Sequence, residues 1–194
     1  MILPIIGYGD PVLRKKAEEI NKDYPDLYKF ISDMFDTMDY ASGVGLAAPQ
    51  VGRSIRLFVV DTTPFSQNKE LSKQEQQDLD GFREVFINPI ITQEEGGIWA
   101  FNEGCLSIPG IHQDVMRKDT VHIEYLDAQF QKQKKTFEGL KARVIQHEYD
   151  HIEGILFIDR ISSFQKKVID KKLKNIMEGR VNADYRMKFF NKKK

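Results

Sequence analysis

The sequence predicts an α+β fold, with mixed and antiparallel β-sheets packed around a central helix and a further helix near the C-terminal end. Three observations predict it. Strand-like alternation is confined to the middle of the chain, apolar residues recur at helical spacing near both ends, and one late helical stretch carries two histidines a turn apart. With 194 residues, 41% hydrophobic and 30% charged, the chain can bury a core and reads as a single domain over 1–194.

Taken in order, Pro25 can open a helix at its first position, where the missing N–H costs nothing. Leu27, Phe30, Ile31, Met34, Phe35 and Met38 then follow at helical spacing, and Gly43 stops the run. A small-residue loop at 43–52 leads into a strand-like run at 55–60. Residues 62–81 are polar and read as an exposed insertion. Residues 85–91 are strand-like, with Pro89 marking an edge or a bulge. Residues 96–101 read as extended and run into EGCLSIPG at 103–110. Val121, Ile123 and Tyr125 alternate with polar residues, and Asp127 and Ala128 can turn the chain into a strand ending near Phe137. Residues 140–153 form the central helix, stopped by Gly154. Ser162 or Ser163 can cap the last helix, where Ile169, Leu173 and Ile176 make a stripe among lysines.

Net charge is zero, which disfavours wholesale polyanion binding, but its distribution is uneven. Residues 164–194, the expected basic C-terminal helix and tail, hold eleven basic and three acidic residues, a surplus of eight that the rest of the chain cancels. Cys105 is the sole cysteine, so no intrachain disulfide can form, which fits a reducing compartment. The first residues lack a basic start and a long apolar run, and no stretch reaches ~18 apolar residues. A cytoplasmic location with no membrane partner is expected.

The strongest local signal is HEYDH at 147–151. His147 and His151 lie four apart on a helix, so both imidazoles can reach one metal ion, and the preceding residue of that row is Val144. Two inward-facing imidazoles need partners for their nitrogens. Glu148, next to the first of them, is free to move a proton. A catalytic site needs a third protein ligand and an open position. No histidine follows the helix, only scattered acids, and the single thiol of Cys105 is the better third donor.

GVGLAAPQ at 43–50, EGCLS at 103–107 and QHEYDH at 146–151 occur together in the order and approximate spacing of the peptide deformylases, and the chain resembles that family over roughly residues 3–175, including Asp10, Leu13 and Arg14 near its start. The family comprises bacterial and organellar metalloenzymes that remove the formyl group from the N-terminal methionine of new proteins. The resemblance implies Cys105, His147 and His151 as metal ligands with water as the fourth, and Glu148 as the general acid/base. It implies Gln50 and the Leu106 N–H as oxyanion donors, and Val44 and Gly45 as backbone that pairs with the substrate as an added strand would. The family's methionine pocket is apolar, which makes Phe101, Leu140 and Val144 candidates for its walls. A thiolate ligand suits Fe²⁺, Zn²⁺, Ni²⁺ or Co²⁺ over Mg²⁺ or Ca²⁺, and the resemblance favours Fe²⁺. The implied partners are N-formylmethionyl nascent peptides and, through the basic C-terminal helix, the ribosome. His112 stands where many relatives carry arginine, and the insertion at 62–81 is longer than in compact members.

Two other readings compete. A thiol hydrolase would use Cys105 as nucleophile with a histidine as base, but it leaves Glu148 unexplained. A ribosome- or RNA-binding module with a structural metal would account for the basic tail.

Overall fold

The structure, a computed structural model, describes residues 1–190; the last four residues of the expected basic tail lie outside that range. The chain opens with the short strand β1 (Ile5–Ile6) and then the helix α1 (Leu27–Tyr40). Asp26, not Pro25, is the cap residue of α1, so the proline sits outside the helix. Asp26 has φ +54°, a left-handed conformation, so the helix cannot extend back through it to Pro25. The expected apolar face is real: Leu27, Phe30, Ile31, Met34 and Met38 are buried.

Five strands make one antiparallel sheet in the order β2 (Gly45–Ala47), β3 (Leu57–Asp61), β4 (Arg83–Cys105), β5 (Ile108–Leu126), β6 (Lys132–Glu138). Each neighbours its successor in sequence, as short connections favour. Between β3 and β4 lie two short helices, α2 (Thr63–Ser66) and α3 (Lys73–Leu79). The insertion is therefore folded and partly inside: Thr62 and Leu79 are buried, the Thr62 hydroxyl donates to the Leu79 carbonyl at 2.9 Å, and Phe65 packs on the core. Ser72 and Glu75 form a reciprocal cap at the start of α3.

Strand β4 is one 23-residue element where the sequence suggests two pieces. Its ladder with β5 slips between Ile87 and Ile90, between Ile91 and Gln93, and between Glu95 and Ile98. The first slip falls at Pro89, which has no N–H to give, the third at Gly96, whose φ is +78°, and a fourth lies between Gly104 and Cys105.

The helix α4 (Gly139–Ile152) packs against the sheet, burying Ala142, Val144, Ile145 and Ile152 in a cluster with Phe58, Phe86, Val121 and Ile123. Gly154, φ +75°, ends it; a Cβ there would stand 2.7 Å from the Arg14 carbonyl oxygen. Helix α5 (Ser163–Met177) is capped by Ser162, which accepts from Gln165 N–H at 3.2 Å. Ile169, Leu173 and Ile176 are buried with Ile108, Val115, Leu156 and Phe157. Strand β7 (Met187–Lys188) then runs parallel to β1. Among the described residues no helix is long and apolar enough to cross a membrane.

Candidate metal centre and active cleft

Two distant parts of the chain meet at one point. Helix α4 supplies His147 and His151 from one face, as their spacing requires. Strand β4 ends at Cys105, just before the turn into β5. One ligand atom from each of Cys105, His147 and His151 lies within 4.8 Å of the others, and Cys105 Sγ is 3.3 Å from His151 Nε2. Donors about 2.0–2.3 Å from a tetrahedral ion stand roughly 3.5 Å apart, so this set of one sulfur and two imidazoles fits a borderline-soft divalent ion.

The surrounding charges favour a cation at that point. Burial disfavours a proton on His147, but Cys105 and Glu103 outweigh it and hold the imidazole well above its ordinary pKa. The ionised Glu103 carboxylate likewise favours a metal ion there. His151 is pushed well below its ordinary value, first by burial and then by the charge of His147, and so stays in the neutral, ligating form.

Behind the donors lies a buried ionic network. Glu103 accepts from His147 Nδ1–H at 3.0 Å, which turns Nε2 toward Cys105. Glu103 also accepts from Arg117 at 2.7 and 2.9 Å and from Arg143 at 2.9 Å. Arg117 continues to Asp150 at 2.7 Å, and Asp150 is held in turn by Arg160. Burial raises the pKa of Glu103, yet the bonds from Arg117 and His147 overcome this and keep the carboxyl ionised far below the usual carboxylate range. Arg143 is further seated by the Val115 and Trp99 carbonyls and stacks 4.4 Å over the Trp99 ring.

Glu148 is buried beside the donors. Its carboxyl lies against Gly45, where an added Cβ would stand 2.8 Å from Cδ. Among the described residues nothing hydrogen-bonds its Oε2. Burial, opposed by the charge of His147, pushes its pKa up to about 7, so it can both take and give a proton near neutrality. Gln50 is oriented by the Ala47 N–H, which donates to its Oε1 at 2.8 Å. Its amide NH₂ therefore faces Cys105 Sγ (3.5 Å) and Ser107 Oγ (3.3 Å).

These groups open on a cavity of about 490 Å³ lined also by Val44, Gly45, Phe101, Leu106 and Val144. Leu140 is not among the lining residues; it lies one helical turn before Val144, at the half-buried start of α4. Phe65 lines the cavity, edge-on to Phe101 at 6.3 Å between ring centres. The polar composition of residues 62–81 hides it in the sequence. His112 also lines the cavity, packed against Gly104, whereas His122 sits on the sheet's outer part between Glu95 and Thr136.

The model of the polypeptide deformylase family matches residues 2–167. The chain belongs to this family. Across all 194 residues it is 60% identical to a peptide deformylase of Flavobacterium johnsoniae, of which it covers 99%. It is 58% identical to that of Flavobacterium psychrophilum, with complete coverage of both. Among solved structures it resembles the peptide deformylase of Plasmodium falciparum, with a TM-score of 0.78 at 35% identity over 90% of this chain and 95% of the other. The Thermotoga maritima peptide deformylase gives 0.71 at 38% identity, over 84% of this chain and 99% of the other. All three sequence motifs lie within the matched stretch.

Proposed function

We infer that this deformylase-family chain, a hydrolase removing the N-formyl group from the N-terminal formylmethionine of newly made proteins and releasing formate, works through the side chains gathered at the cleft. The observation that carries the reading is the convergence of Cys105, His147 and His151 on one point, beside a buried carboxylate with no partner among the described residues and an oriented amide.

Cys105, His147 and His151 would hold the metal. The ion supplies a Lewis acid and lowers the pKa of a water from 15.7 toward about 7. Glu148 takes a proton from the attacking water and delivers it to the departing methionine nitrogen, a role its pKa near neutrality supports. Gln50 Nε2–H and the Leu106 N–H donate to the formyl oxygen as negative charge develops there, each such donor being worth about 2.7–4 kcal/mol in comparable enzymes. Val44 and Gly45, at the entry to β2 on the cavity edge, pair with the substrate backbone. Phe101, Val144 and Phe65 form apolar walls for the methionine side chain, with Leu140 further back along α4.

The test is Glu148→Ala. This variant should keep one metal per chain and lose at least about 100-fold in kcat on formyl-Met-Ala-Ser; parental turnover would eliminate the mechanism. The thiol-nucleophile reading leaves the buried carboxylate without a task, and a purely structural metal leaves the cavity without one.

Ferrous iron is the ion the resemblance favours, with Zn²⁺, Ni²⁺ and Co²⁺ compatible with the same donors. Metal content of anaerobically purified protein, measured beside formate release, decides between them. A lone thiol that must stay reduced to ligate supports a cytoplasmic location. Helix α5 exposes Lys167, Lys171, Lys172 and Lys174 while its apolar stripe is buried, which supports docking of that face on the polyanionic ribosome. Reversing Lys167, Lys171 and Lys172 to Glu spares the buried stripe and should weaken ribosome co-sedimentation at low salt; unaltered co-sedimentation removes the idea.

A further inference from the structure

The residues after α5 lie beyond the stretch matched by the family model, yet they return to the cleft: Asn182, Ala183, Asp184 and Tyr185 line the same cavity as Cys105 and Glu148. Their path is held at both ends. Before them α5 is anchored by its buried stripe, and after them β7 is zipped to β1, with Ile5 N–H donating to the Arg186 carbonyl and Gly7 N–H to the Lys188 carbonyl, both at 2.8 Å.

What this segment touches is the turn that carries the proposed oxyanion donor. Leu106 and Ser107 are the two-residue link between β4 and β5, with Cys105 paired to Ile108 across it. Two-residue hairpin links that match strand twist take positive φ at one or both positions. Neither Leu106 nor Ser107 has positive φ, so this turn does not have that self-supporting geometry. Fasteners from opposite ends of the chain hold it instead. The Tyr8 N–H donates to the Ser107 carbonyl at 2.9 Å, and the Tyr185 hydroxyl donates to the Leu106 carbonyl at 2.8 Å. The β1–β7 pairing lies immediately beside both tyrosines and sets their spacing.

We propose that Tyr185 is a positioning residue for deformylation: its hydroxyl latches the Leu106–Ser107 turn and so keeps the Leu106 N–H aimed at the developing oxyanion. The proposal rests on the reading of Leu106 N–H as an oxyanion donor. A latch acting through a donor used chiefly in the transition state should change kcat and leave ground-state binding alone.

Tyr185→Phe removes the hydroxyl and keeps the ring. Its kcat on formyl-Met-Ala-Ser should fall about five- to tenfold, the effect of one lost hydrogen bond. KM should stay within twofold, metal per chain should be unchanged, and the inhibition constant of the product Met-Ala-Ser, which has no formyl oxygen, should not move. A kcat within twofold of the parent overturns the latch. So does a loss seen only in KM and product binding, which would make Tyr185 a wall, or a loss of metal, which would make it a prop for Cys105. Gln50→Ala run in parallel separates the two levels. If it too keeps parental kcat, the oxyanion reading fails and the latch with it; if it is crippled while Tyr185→Phe is not, only the latch fails.

Discussion

Glu148 occupies the space that a side chain at position 45 would need, and this explains why strand β2 begins with a residue lacking one. Gly45→Ala should push the carboxylate off its line to the cavity, because the Cβ would press on both Cγ and Cδ at 2.8 Å. Overpacking of this kind costs about 1–3 kcal/mol of stability, and kcat should fall at least about tenfold through misplacement of the proposed proton carrier. Steady-state kinetics beside a thermal melt measures both; parental kcat would mean the carboxylate has other room. At this scale the sequence is highly legible. The pair His147 and His151, with Glu148 beside them, can be read from spacing alone, since a helix converts four positions into one turn. Cys105 as their companion is harder, because it lies 42 positions before His147 and only the fold closes that distance.

The elements show where sequence reading stops and why. The helical faces of α1, α4 and α5 were readable because apolar spacing records directly which side is buried. The continuity of β4 was not, since the sequence reads two extended pieces at 85–91 and 96–101, although the bulge expected at Pro89 is there and a further one at Gly96 is tolerated within the same ladder. Least readable of all was the network behind the metal donors. Arg117, Asp150 and Arg143 have the appearance of ordinary solvated charges until β4, β5 and α4 are brought together around Glu103. That network makes a prediction at the level of packed elements. Glu103→Gln leaves the guanidinium groups of Arg117 and Arg143 buried with too little opposing charge, and breaking such a pair costs about 3–5 kcal/mol. It also unfastens His147, so metal affinity should drop about 10–100-fold. Urea unfolding and metal titration should register both losses; a variant matching the parent in each would show the network to be inert.

Across the whole molecule, the start of the chain and helix α5 are tied through Asp159. Its carboxylate receives Arg14 from near the start of the chain, the Leu156 N–H at 2.9 Å and Lys166 of α5 at 3.1 Å. Burial raises its pKa, but these partners together, Arg14 foremost, bring it below the ordinary value. A depressed folded-state pKa means that the unfolded chain binds the proton more readily as pH falls. The stabilisation is therefore complete above the unfolded-state value of about 3.9 and is lost as pH falls through the lower folded-state value. Asp159→Asn should lower the melting temperature at pH 7 and flatten its decline below about pH 5; an unchanged acid limb would show that other carboxylates set it. The reach of the chain ends has a consequence for biosynthesis. Synthesis proceeds from the N-terminus, and domains fold as they emerge. All three proposed metal donors exist once residue 151 has been made, yet Tyr185 follows 34 positions later. A half-built copy still threaded through its ribosome would hold the three proposed donors before the proposed latch exists, so its full catalytic competence would wait until residue 185 has emerged.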